Sequence, residues 1–167
     1  GASTIASTQR IVSDASAGAI SIAYAGGDNI DVASGHDFQA SSLDHDFSYT
    51  ATLGAIGQSG ALTLGAGASF VASEADQAIV LDALSNAFTG ALTVNTSGTA
   101  GHVDVRNNVA TVLGGSTVGG NFTLTSNGDV SQTAGLSVGG AADLATLGMD
   151  QSVSLANAAN ALAGVIS

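Results

Sequence analysis

The chain has 167 residues, of which Gly, Ala, Ser and Thr make up 90, and it contains no Cys, Pro, Trp or Lys. Acids outnumber bases 13 to 2, giving a formal net charge of −11, and the 45% hydrophobic content includes only 4% aromatic residues. Disulfides, thiol nucleophiles and Cys-based zinc sites are thereby excluded, and two Arg cannot neutralise the phosphates of a nucleic acid or an anionic membrane surface. No apolar run reaches the roughly 18 residues of a membrane helix, so no membrane insertion is expected. Residues 1–7 carry neither the basic nor the long apolar stretch of a secretory leader. A mean hydropathy of +0.38 is too apolar for a disordered chain.

In chain order, the first strand signal is Ile20-x-Ile22, and the second is Ile30 followed by Val32. Both show the period-2 alternation of a half-buried strand. An acid-rich stretch from Asp28 to Asp46 follows, and then Phe47 to Thr50 opens a new alternating run. The same pattern recurs at Leu62-x-Leu64, Ile79-x-Leu81, Leu92-x-Val94, Val103-x-Val105, Phe122-x-Leu124 and Val153-x-Leu155. Between the runs lie Gly, Asn, Asp and Ser, the residues of tight turns. The Ala-rich segment 155–163 could be helical by composition, but its counterpart 81–89 carries Asn86 and Phe88 in a corner context. Both are therefore read as a bend and a strand.

The runs belong to a repeat. Residues 62–93 align without gaps to residues 136–167, an offset of 74, with identities that include Leu62/Leu136, Asp76/Asp150, Gln77/Gln151, Asn86/Asn160 and Gly90/Gly164. Upstream, the segment from Asp46 answers that from Asn121, and residues 19–32 answer 91–105. A small or polar residue before an apolar strand recurs at Gly18, Asp46, Gly67, Gly90, Gly120, Ala141 and Gly164. These seven beats predict an all-β, parallel β-solenoid of about seven coils of 21–30 residues. Three coils would make one long repeat of 72–75 residues. A parallel stack with a strand spacing of ~4.8 Å makes this a rod roughly 30 Å long. The absence of Pro agrees, because Pro removes a ladder donor from strands paired on both sides. A β-sandwich would show hairpin turns and no such self-similarity. The whole chain reads as one solenoid segment with boundaries near 18–89, 90–163 and 164–167, a slice of a longer fibre.

The motif N-x-F-x-G-x-L-x-V (Asn86, Phe88, Gly90, Leu92, Val94), then Thr117 to Thr125, Gly128 to Gln132 and Val138 to Gly140, resembles the repeat region of filamentous haemagglutinin-like exoproteins. These are bacterial surface adhesins exported by two-partner secretion. The resemblance covers about residues 60–167 well and 18–60 more loosely. It implies a right-handed parallel β-helix, an extracellular, cell-surface location and a non-catalytic role in fibre formation or attachment. The partners it implies are further repeats or a second copy end to end, and a host or neighbouring-cell surface or glycan.

Chemistry concentrates in residues 28–46, which hold Asp28, Asp31, His36, Asp37, Asp44, His45 and Asp46. Asp oxygens suit Ca²⁺ and His-Asp pairs suit a transition metal, so Asp28, Asp31, His36, Asp37, His45 and Asp46 are the candidate ligands of a divalent ion. The competing reading is a solvated, decorated coil that needs no cofactor. A carbohydrate- or metal-binding module centred here, or a polysaccharide-degrading β-helix enzyme using paired Asp residues, are the alternatives to a structural role. No G-x-S-x-G elbow is present, and His102 is read as a corner residue.

Overall fold

The computed structural model describes residues 46–51, 54–58 and 60–167, together with the backbone of 20–24 and 30–31. The described residues contain no helix; short strands stack in parallel, each in register with the strand one turn later. One ladder, face one, runs through Ile20–Tyr24, Phe47–Ala51, Ala68–Ala75, Ala91–Ser97, Ser116–Val118, Leu136–Val138 and Ala161–Leu162. A second, face two, runs through Ile30–Asp31, Ile56–Gly57, Ile79–Leu81, Val103–Asn107, Phe122–Ser126 and Ala142–Thr146. On the third side Thr63–Leu64 pairs with Ala87–Phe88. Later in the chain Thr111–Leu113 pairs with Val130–Gln132, which Val153 bridges.

The alternation in the sequence is what fills the rod. Along Phe122–Ser126 the side chains of Phe122, Leu124 and Ser126 are buried, while those of Thr123 and Thr125 are only partly covered. The same inward set on every coil forms a single core column from Phe47 to Leu144. Burying each of these aliphatic or aromatic side chains contributes about 1.5–3 kcal/mol, before the entropy of ordering the chain is subtracted. An aromatic line crosses the early coils: the Phe47 and Phe70 rings lie 5.6 Å apart, and those of Phe70 and Phe88 6.3 Å apart. The motif Asn86-x-Phe88-x-Gly90-x-Leu92-x-Val94 reads directly onto this geometry. Phe88, Leu92 and Val94 point inward at 0–1% exposure. Gly90 packs against the Ala66 carbonyl so closely that a Cβ would overlap it, and Gly164 repeats this against Gly140.

The long repeat does not close after a whole number of turns. Phe47–Ala51 and Ala68–Ala75 stand on face one, whereas their counterparts Phe122–Ser126 and Ala142–Thr146 stand on face two. Ile56, which follows Phe47 on the same turn, connects up face two through Ile79 and Val103 to Phe122 in three steps. Thr63–Leu64 of the third side has its counterpart in Leu136–Val138, which has joined face one. Each unit therefore advances three turns and one further face.

This corrects the expected coil count. The seven beats are strand entrances, four leading into face one and three into face two. The 30-residue spacing from Gly90 to Gly120 is one turn plus one face rather than a long coil. The six strands of face two make about five turns, or about 24 Å at ~4.8 Å per step. The segment 155–163 is irregular and ends in the strand Ala161–Leu162, as its counterpart suggested.

Candidate functional site

Among the described residues, four corners are built by one device. The residue just before a strand accepts, through its side chain, a backbone N–H from the next turn. Asp46 Oδ1 accepts from Gly67 at 2.9 Å, Asn121 Oδ1 from Ala141 at 3.0 Å, and Asp129 Oδ1 from Ser152 at 2.7 Å. At the fourth corner the acceptor is His102 Nδ1, taking the Asn121 N–H at 2.9 Å. In each case the first strand residue (Phe47, Val103, Phe122 or Val130) donates its own N–H back to the carbonyl of the same partner residue. Two hydrogen bonds thus tie each corner to the turn above it. Short polar side chains suit such positions because they reach the backbone without ordering a long chain.

A second device marks each unit once. Asn86 is fully buried; its Oδ1 accepts from Leu62 N at 2.8 Å, and its Nδ2 donates to Leu81 O at 2.9 Å and Gln58 Oε1 at 2.8 Å. Gln58 Nε2 completes the pair by donating to Asn86 Oδ1 at 2.9 Å. Gln132 and Asn160 reproduce the whole set on Leu136 and Leu155. Asn86 and Asn160 each bond locally, to Leu81 O and Leu155 O, and also clamp the preceding turn. Their Gln partners went unrecognised, although Gln58 and Gln132 fall in equivalent places of the aligned segments. A third cluster, Asn107, Thr111 and Ser126, is buried and mutually hydrogen-bonded; the Asn107 amide serves both the N–H and the C=O of Phe88. At the turn after each unit's second long strand, Asp76 and Asp150 both adopt a positive φ, 63° and 60°.

The two outer faces differ in charge. On face one, Ser48, Ser69 and Thr93 form one outward column, and Thr50, Val71, Asn95, Thr117 and Ser137 form another. On face two, Val80, Asp104, Thr123 and Asp143 line up. Partial burial, and then the neighbouring charge of Asp82, hold the Asp104 carboxyl above the usual carboxylate range. A shallow groove of about 510 Å³ on face one has Asp46, Ser48, Ser69 and Thr93 in its lining. Among the described residues of the lining the one carboxylate is that of Asp46, which is engaged at the corner.

Of the candidate metal ligands, Asp28, His36, Asp37 and His45, with Asp44, lie outside the described residues. Asp31 is placed only as backbone in the strand Ile30–Asp31. Asp46 is described, and its role is the corner bond that Asn121 makes in the second unit. Among the described residues no group of three His, Cys, Asp or Glu side chains could hold a metal ion. No helix of the described residues is long and apolar enough to cross a membrane.

Residues 27–95 and 100–167 each match a protein family described as repeats of unknown function (DUF5649). The two matches fall one on each of the two units found by self-alignment. No curated protein and no solved structure gives a match.

Proposed function

The chain belongs to this family of repeats of unknown function (DUF5649), and from that footing we propose that it is a structural segment of an extracellular bacterial β-solenoid fibre or adhesin. In this reading it is non-catalytic and needs no cofactor. It spaces or presents contact surfaces at a cell surface, and it extends by adding coils end to end.

One comparison between the two units carries the reading. Ile79, Leu81, Phe88 and Leu92 are 0–1% exposed beneath the following turn. Their counterparts in the second unit are Val153 at 42% and Ile166 at 57% exposure, with Leu155 and Leu162 half-buried. The same apolar positions thus form an open cross-section that another coil of the same kind would cover, from a second copy or a further repeat. Open strand edges beside apolar surface are templates for pairing. The resemblance of the Asn86 to Val94 motif to haemagglutinin-like repeats supports the cell-surface location.

Sedimentation of the purified chain over a concentration series tests this. End-to-end association that is lost in Val153→Asp/Ile166→Asp is expected. A chain that stays monomeric at the highest concentration contradicts the stacking part of the proposal.

A further inference from the structure

Among the four corner acceptors, three are Asp or Asn and one is His102. We propose that the His102 corner is a pH-sensitive joint in the solenoid, closed while the imidazole is neutral and loosened when it takes up a proton. The inference does not rest on the fibre reading.

The geometry is specific about the atom involved. Asn121 N–H points at His102 Nδ1 at 2.9 Å, and Val103 N–H returns to Asn121 O at 2.8 Å. Only a ring with a lone pair on Nδ1 can accept that bond; a protonated imidazole carries N–H on both nitrogens and has no acceptor. Donor would then face donor. The carbonyl and carboxylate oxygens of Asn121, Asp46 and Asp129 keep their acceptor character through the range in which imidazoles change charge. The His102 ring is exposed to solvent, so it can take up a proton from bulk water, and it sits close beneath Gly120, where a Cβ would overlap Nδ1.

Among the described residues, charge near the corner comes from two sides. By strand register the neighbours on the turn below are Ala78 and Val80, and those above are Asn121 and Thr123, all uncharged. Asp104 follows two residues along the same strand, and Asp76 lies at the preceding turn, where its Oδ1 accepts from Ala100 N at 2.9 Å. The corner is also the first link of a chain, since Asn121 in turn holds Ala141. It stands where the long strand passes from face one (Ala91–Ser97) to face two (Val103–Asn107). A proton on His102 therefore acts at a corner between faces one and two, early in the second unit.

Thermal unfolding of the full chain at pH 7.5 and pH 5.0, compared with His102→Asn, tests the proposal. Asn restores the acceptor used at the other corners, and His36 and His45 are present in both proteins. The wild-type Tm is expected to fall on acidification by about 2–4 °C more than that of His102→Asn, the shift of one lost hydrogen bond in a chain of this size. Equal pH dependence in the two proteins overturns the proposal. Should His102→Asn fold poorly, NMR of the wild type decides. The Asn121 amide resonance must titrate together with the His102 ring, and an Asn121 amide insensitive to that titration also overturns it.

Discussion

Asn86→Ala is expected to destabilise the chain by about 2–3 kcal/mol, because it leaves the buried Leu62 N–H without a partner, removes one of the bonds to the Leu81 C=O and breaks the amide pair with Gln58. Hydrogen-bond loss alone, with both groups still solvated, would cost only about 1 kcal/mol. Asn160 provides the internal control. It makes the equivalent bonds to Leu136, Leu155 and Gln132, but in a partly buried corner. Water can replace them there, and Asn160→Ala should cost about 1 kcal/mol. Chemical denaturation of the two variants measures the difference. Equal losses would show that burial does not set the cost, and that Asn86 acts only through local corner geometry.

Phe70→Ala should cost about 3–5 kcal/mol, the usual penalty for emptying a closed aromatic site in a packed core. The ring is 1% exposed and stands between that of Phe47 on the turn before and that of Phe88 on its own turn, so its removal opens a cavity between turns in the core. The second unit tells which replacement is tolerated. Its counterpart is Leu144, so Phe70→Leu should retain most of the stability and lose only about 1–1.5 kcal/mol. Denaturant midpoints of the two variants provide the test; a Phe70→Leu as damaging as Phe70→Ala would mean that ring contact, not filled volume, holds these turns together.

Much of this fold was legible in the sequence because a solenoid core is a local pattern repeated. Phe122-x-Leu124 on one turn and Val103-x-Val105 on the turn before need only alternate apolar residues, and the register between them follows from equal strand entrances. What misled was the entrance itself. Asp46 and Gly120 lead into Phe47–Ala51 and Phe122–Ser126, strands that look alike because they are repeat equivalents, yet those strands stand on different faces. Sequence similarity reports equivalence within the unit, not position around the axis. The Asn107, Thr111 and Ser126 cluster was invisible for another reason. Ser126 corresponds to Ala51, buried at 0% in the first unit, so no repeated pattern marks the position as polar. The corner acceptors were partly readable: Asp46 and Asn121 aligned. The acid-rich stretch drew Asp46 toward metal chemistry, whereas its counterpart Asn121 shows the backbone bond that both side chains make.

The advance of three turns and one face is the central claim, and a pair of engineered disulfides tests it directly in a chain that contains no Cys. Thr123 is the register partner of Asp104 on face two, while Thr93 pairs with Ser69 on face one. Adjacent parallel strands bring such partners to about 4.8 Å, within the Cα separation a disulfide spans. Oxidation should therefore close a bridge in Asp104→Cys/Thr123→Cys and leave Thr93→Cys/Thr123→Cys open, as read by thiol titration of the folded proteins. A bridge in Thr93→Cys/Thr123→Cys, with none in the other pair, would place Thr123 one coil above Thr93 and contradict the account.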